Sequence, residues 1–379
     1  MRRGIAFLLA LMILTAALPA MAEEWDVFVR EKFAARKVVG GAVVIALDGQ
    51  VVYSKGFGYK DARQSQPATS DTCFRVASVT KLVSAIGLLQ LMEQKGLGLD
   101  TKVSDIVGFR VENPSFPETS VTVRQVLSHT TSIPSTNYYF PSWDTMGVGT
   151  PYFSEDYAPG EKYVYSNLNG GLIGAMIEAL SGQSVNSYMQ ENVFAPLGVN
   201  AAYQAALLPD TGDIADRLNK DGTLHQTAGY ALRSIENYDD TCNPRQHTNI
   251  TVGSLYISVN GLIRIISMLE GGGEVDGVRI LSEDMVNTMM LDQDTIPGTS
   301  VHCKGRYGLC LDRVKNMPGG TWYGHQGRLN GLSANIYFQP DTGLSIAVIA
   351  NGYTAYTIDE VVSIARVFME KGQEFVPAE

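Results

Sequence analysis

The chain has 379 residues, 45% hydrophobic and 18% charged, the balance of a folded globular protein rather than a disordered or fibrous one. Its formal net charge is −10 and it contains no basic run, which argues against nucleic acid and against anionic membrane surfaces as partners. At roughly 150 residues per domain the length allows two or three folding units.

Arg2-Arg3, an apolar run from Ile5 to Leu18 and then Ala20-Met21-Ala22 have the form of a signal peptide over residues 1–22: a basic start, an apolar middle and an A-x-A cleavage site. The apolar run falls short of the roughly 20 residues that span a bilayer. No cysteine follows the cleavage site to take a lipid, and no second run of spanning length appears. A secreted or periplasmic protein without an integral membrane segment is therefore expected.

From Trp25 to Arg36 the spacing of Trp25, Phe28, Val29 and Phe33 predicts a short amphipathic helix. Ala42 to Leu47 reads as a buried strand, Asp48-Gly49 as a type I′ turn and Val51 to Ser54 as the partner strand. A helix is predicted over about 78–95, apolar on nearly every side (Leu82, Val83, Ile86, Leu88, Leu89) and stopped at Gly96. From 101 to 251 the pattern changes to short helical patches, many turns and aromatic clusters such as Tyr138-Tyr139-Phe140 with Trp143. Within that block Val123 to Ser128 predicts a helix ending at His129. Tyr165-Ser166-Asn167 precedes another, with Gly170, Gly174 and Ala175 on one face and Leu172, Ile173 and Met176 on the other.

Beyond Gly253 the pattern gives a helix from about Ser258 to Leu269, a hairpin turn at Asp276-Gly277 and a helix starting at Ser282. Strands follow at Tyr307 to Val314, Trp322 to His325, Leu332 to Gln339 and Leu344 to Ala350, then a last helix from about Thr357 to Lys371. The expected fold class is α/β (α+β). One antiparallel sheet is built from both termini, residues 23–100 and 252–379, and flanked by helices, with residues 101–251 as a mainly helical insertion.

Four cysteines in an exported chain allow three disulfide pairings. Cys303 and Cys310 lie close enough in sequence to close a local loop, which leaves Cys73 and Cys242 as the second pair. The five histidines, His302 beside Cys303 among them, are scattered, and no C-x-x-C or H-E-x-x-H occurs, so neither a metal site nor a cofactor is expected.

Three polar clusters sit where local structure presents side chains. Ser78 and Lys81 form the only S-x-x-K, at the start of the apolar helix. The hydroxyl stands over the positive end of the helix dipole, and residues three apart share a face. A lysine in apolar surroundings loses its proton readily and can take one from the hydroxyl. Tyr165-Ser166-Asn167 is the only Y-x-N, at a helix entry, and His325-Gln326-Gly327 the only H-x-G, at a strand end. Together they supply what acyl transfer needs: an activated hydroxyl, a second proton carrier and donors for a developing oxyanion. No G-x-S-x-G elbow is present.

On these motifs, with Leu127-Ser128-His129-Thr130-Thr131-Ser132-Ile133-Pro134 and Gly324 to Gly331, the sequence resembles the serine beta-lactamase and penicillin-binding-protein superfamily. The likeness is strongest to its class C and DD-carboxypeptidase-like branch, over about Trp25 to Met369. The resemblance implies that Ser78 is the acylated nucleophile, Lys81 its base, and Tyr165 a proton carrier whose pKa is lowered by Lys81. It also implies that Asn167 bonds the substrate amide or Lys81, and that the backbone N–H groups of Ser78 and Arg328 form an oxyanion hole. His325 stands where relatives have the lysine of K-T-G and would meet the substrate's carboxylate end, with Gly327 and Arg328 lining the same strand. The chain departs from the pattern at His325, at Gln326 in place of threonine, at Arg328 in place of a small residue, and at Ser132 in place of glycine.

The resemblance thus implies a secreted serine hydrolase that acts through an acyl-enzyme on peptides, amides or esters, of DD-carboxypeptidase, D-aminopeptidase or esterase type. Its partner is a small-molecule or peptide substrate, cell-wall derived in one version. The alternatives are a beta-lactamase of weak turnover and a penicillin-binding sensor without turnover. In the esterase version, the aromatic cluster from Tyr138 to Trp143 could form an acyl pocket.

Overall fold

The structure, a computed structural model, describes residues 21–134, 142–145, 152–233, 240–297, 301, 303, 305–359 and 361–377. Residues 1–20 of the leader, the Tyr138-Tyr139-Phe140 cluster and His302 lie outside the described residues. In chain order the elements that position the site begin with helix α1 (residues 21–35), strands β1 (Gly40–Leu47) and β2 (Gln50–Gly58), and helix α2 (Val79–Lys95). Helices α3 (Val123–Leu127), α4 (Asn167–Ser181), α5 (Ile250–Gly253), α6 (Val259–Glu270) and α7 (Glu283–Met290) follow. Strands β3 (Asp312–Met317), β4 (Gly320–Leu329), β5 (Leu332–Gln339) and β6 (Leu344–Asn351) and helix α8 (Ser363–Gly372) complete the set.

One antiparallel six-stranded sheet has the order β3-β4-β5-β6-β1-β2, so the N-terminal hairpin adds to the edge of a C-terminal meander. The β1–β2 turn holds Asp48 and Gly49 both at positive φ, +49° and +73°, the two left-handed residues a type I′ turn requires. Side chains alternate across the sheet. Ala42, Val44 and Ala46 of β1 enter the core beneath α2, α4 and α6, whereas Val43 and Ile45 enter a second core with Trp25 of α1 and Phe368 of α8. Helices on both faces leave no solvent-facing side to the central strands, which is why their sequence is continuously apolar rather than alternating.

Helix α2 has thirteen buried residues among its seventeen, so it runs through the interior and not along the surface. Short strands at Phe74–Arg75, Tyr256–Ile257 and Ala201–Ala202 pair into a small antiparallel ribbon just ahead of it. The segment between residues 101 and 251 carries further short helices and two-residue strands.

Four expectations from sequence are corrected. Strand β3 starts at Asp312 and not Tyr307, because Cys310 adopts φ +51° and turns the chain before extension resumes. Strand β4 continues to Leu329 and meets β5 through a turn with Gly331 at φ +80°, so His325 lies within the strand and not at its end. A small hairpin of Thr357–Ile358 with Val361–Val362 delays the last helix to Ser363. All four cysteines are free. Cys303 Sγ points to the Ser128 carbonyl at 3.5 Å and Cys310 packs into the main core, while Cys73 lies beside Asn200 and Cys242 beside Glu178.

Candidate active site

Helix α2 begins at Ser78, whose side chain makes no capping hydrogen bond, so its hydroxyl is not spent on the helix end. The preceding residue, Ala77, sits at φ +50°, a conformation costly for a residue with a Cβ. That kink turns the chain from the short strand Phe74–Arg75 into α2 and leaves Ser78 half-exposed above a fully buried Lys81. A side chain at Gly327 would put its Cβ 2.2 Å from the Val76 carbonyl and 3.0 Å from Ser78 N. Strand β4 therefore lies against the Ser78 turn only because residue 327 is glycine. The next residue on that strand, Arg328, is exposed.

Lys81 Nζ donates to Ser78 Oγ at 3.1 Å and to the Val252 carbonyl of α5 at 2.7 Å. Burial pushes its pKa down to about 7. Of the two partners expected for Asn167, a substrate amide or Lys81, it does not bond the lysine: Asn167 opens α4, half-buried, and the Val252 carbonyl holds Lys81 instead. The glycine face of α4 makes the room. Gly170 lies against the Lys81 stem, and Gly174 against Thr251, whose hydroxyl donates to the Gly170 carbonyl at 2.6 Å.

The Tyr165 ring stands 5.2 Å from Lys81 Nζ. Its phenolic oxygen is buried and faces the Ser78 hydroxyl without a well-formed hydrogen bond. Burial raises its pKa above the ordinary 10.0; Ser78 and Arg328 pull the other way but do not win. The expectation that Lys81 lowers it is thus corrected, since a buried phenol beside a lysine that is itself half-deprotonated at neutral pH gains little from the charge.

His325 is buried, and both ring nitrogens are engaged inside the protein. Nδ1 bonds the Gln326 carbonyl at 2.8 Å and Nε2 bonds Tyr307 Oη at 2.9 Å. A carbonyl only accepts, so the proton is on Nδ1 and the tyrosine donates to Nε2. Burial, followed by the charge of Lys81, lowers the His325 pKa to about 3. A neutral, satisfied imidazole occupies the place expected to meet a carboxylate.

Residues that sequence reasoning left without a role complete this wall. Tyr307 is fully buried beside His325 and 5.3 Å from the His129 ring. His129, at φ +56°, lies 4.3 Å from the Tyr165 ring. The Cys310 thiol, raised to about 12 by burial, lies within electrostatic reach of Lys81. His129 stood in a quoted motif, but nothing in the sequence marked Tyr307 or Val252. Ser132 adopts φ +63°, the conformation a glycine favours, and its hydroxyl accepts from Asn113 Nδ2 at 2.9 Å, a bond that glycine could not make.

The Beta-lactamase family model matches residues 25–365. The chain belongs to the beta-lactamase family. Within that family it is 30% identical over 187 residues to "Penicillin-binding protein 4*" of Bacillus subtilis (strain 168), an alignment spanning 46% of this chain and 40% of that protein. The beta-lactamase-family chain thus matches under half the length of this curated relative. Among solved structures it resembles the octameric penicillin-binding protein homologue from Pyrococcus abyssi: 28% identity, TM-score 0.67, covering 87% of this chain and 74% of that one. A class C beta-lactamase in complex with cefoxitin shares the fold at 18% identity and TM-score 0.72, covering 94% and 99% of the two chains. Among the described residues no helix is long and apolar enough to cross a membrane.

Proposed function

We propose that this chain is a serine hydrolase working through an acyl-enzyme on Ser78, with peptide, amide or ester substrates. The observation that carries the reading is the 3.1 Å bond between Ser78 Oγ and a buried Lys81 whose pKa is brought to about 7. At neutral pH a good fraction of Lys81 is unprotonated and can accept the serine proton as Oγ attacks the carbonyl carbon. Tyr165, a neutral phenol over the same space, then delivers its proton to the leaving group and takes up the one held by Lys81, which returns to its neutral form. The N–H groups of Ser78 and Arg328 receive the oxyanion, where a single donor is typically worth about 2.7–4 kcal/mol. Water later attacks the acyl carbon and releases Ser78.

The neutral His325 favours esters and amides over beta-lactams. A substrate carboxylate at that strand would meet an imidazole with both nitrogens engaged, and the charge on the strand is that of the exposed Arg328, which also acts on Tyr165. The signal-like leader supports action outside the cytoplasm. The test is labelling with a fluorophosphonate, followed by turnover of a short-chain nitrophenyl ester, a D-amino-acid amide, a D-alanyl-D-alanine peptide and nitrocefin. Wild type should be labelled on Ser78 and should turn over ester or amide ahead of nitrocefin. Equal labelling of Ser78→Ala would refute the nucleophile.

A further inference from the structure

His129 is a buried imidazole that the acyl-transfer scheme does not use. It stands in a bend between α3 and the chain leading to Tyr165, at a positive φ of +56°. Its Nδ1 accepts from Ser166 N–H at 3.3 Å and from Asn169 Nδ2 at 3.1 Å, and Asn169 is itself oriented by the Thr131 hydroxyl donating to its Oδ1 at 2.8 Å. Two donors on Nδ1 leave the ring proton on Nε2, and Nε2 is buried without a partner. A buried donor left open is unfavourable, so the site is not arranged to satisfy that atom. What the arrangement does satisfy is geometry. The ring is pinned at one edge to the entry of α4, on either side of which lie Tyr165 and Asn169, and its face lies against Tyr165 with centroids 4.3 Å apart and planes inclined at 36°. The His129 N–H and carbonyl tie the same bend to the backbone, the carbonyl accepting from Val164 N at 2.9 Å, one residue before the tyrosine.

Tyr165, by contrast, faces the Ser78 hydroxyl without a well-formed hydrogen bond to fix its phenol. We propose that His129 is a positioning residue for Tyr165: its ring, locked by Ser166 and Asn169, is the surface that holds the phenol over Ser78 and Lys81. The inference rests on the proposed acyl-enzyme reading, in which Tyr165 moves a proton. Loss of the ring lets the phenol swing, and a displacement of about 1 Å at a reacting group is enough to cost on the order of a hundredfold in rate.

The test is a double-mutant cycle on turnover of a short-chain alkyl ester, whose alkoxide leaving group needs a proton, using His129→Asn, Tyr165→Phe and the double variant. Asparagine tolerates positive φ and keeps an acceptor near Nδ1, but it removes the ring. His129→Asn is expected to lower kcat by about ten- to a hundredfold with KM changed less than about threefold, and to lower it less than about twofold when Tyr165 is already phenylalanine. Equal losses in both backgrounds, or no loss in the first, would overturn the proposal, because a merely structural residue acts independently of Tyr165. Should His129→Asn fail to melt cooperatively, His129→Phe decides the matter. It keeps the ring and loses the acceptor, so kcat within about fivefold of wild type supports ring positioning, and a loss as large as that of Tyr165→Phe refutes it. Ser78→Ala serves as the separate control: if it retains ester turnover, the acyl-enzyme reading has failed and not the role of His129.

Discussion

Gly170 lies against the stem of Lys81, so that a methyl group added there would stand 2.7 Å from Cε and 3.1 Å from Cδ. The proposed general base is thus placed by a residue one helix away that has no chemistry of its own. In a helix interior, glycine to alanine ordinarily stabilises by roughly 0.5–1 kcal/mol, which offsets part of the cost of moving a side-chain end. Gly170→Ala is therefore expected to melt within a few degrees of wild type while losing about tenfold or more in ester turnover. A melting curve and kcat on the same preparation check it; unchanged kcat would mean that the Lys81 position is not critical.

Lys81 sets a pH dependence in two quantities. The base is competent when neutral, so kcat/KM should rise with pH through about 7. Stability follows the same residue. The folded chain releases the lysine proton near pH 7, whereas the unfolded chain holds it to the ordinary 10.5, so the unfolded state binds the extra proton between these values. Stability contributed by this group therefore rises with pH across that window and is flat below it. Lys81→Met should abolish turnover, raise stability at neutral pH and flatten the stability profile from pH 7 to 10.5, as read by denaturant titrations at several pH values.

Tyr165 carries a buried hydroxyl that faces Ser78 without a well-formed hydrogen bond. Removing an unsatisfied buried group leaves stability unchanged or improves it, whereas loss of a proton carrier typically lowers rate by about 10²–10⁴. Tyr165→Phe should therefore keep or raise the melting temperature and reduce ester kcat by about a hundredfold. A melting temperature that falls together with activity would point to a structural role.

The neutral His325 gives a prediction opposite to what motif completion suggests. Its Nε2 accepts from Tyr307, and Lys81 is close enough to depress its pKa. His325→Lys restores the residue of K-T-G but removes that acceptor and buries a second cation, a change that costs about 3–5 kcal/mol when a buried charge has no counter-ion. The variant should melt well below wild type and gain no nitrocefin turnover. Acidification tests the same residue. Its folded pKa of about 3 lies below the ordinary 6.5, so the unfolded state binds more protons between these values and stability falls as pH drops through that range. Part of that fall should disappear in His325→Gln.

Much of this architecture follows from local patterns. The hairpin around Asp48-Gly49, helix α2 after Ser78, and α4 with its glycine face each rest on turn chemistry or on a hydrophobic period of a few residues. The three motif clusters were visible for the same reason: each is contiguous, and each sits at the edge of a predicted element. The bounds of β3 and α8 were not, because the positive φ of Cys310 and the hairpin at Thr357 leave no distinctive composition. The cysteine pairing drawn from loop length also failed, since spacing along the chain says nothing of the direction in which two side chains point.

The sequence by itself determined the helix that begins at Ser78, the sheet drawn from both termini and the order of Ser78, Tyr165 and His325 along the chain, because these depend on residue type and short-range periodicity. Only the tertiary structure decided the protonation and contacts that make the site work. Lys81 is bonded to Val252, 171 residues away, His325 is neutralised by burial with Tyr307, and the Tyr165 ring rests on His129. Desolvation and ring contact arise from atoms brought together across the whole chain, and no window of sequence contains them.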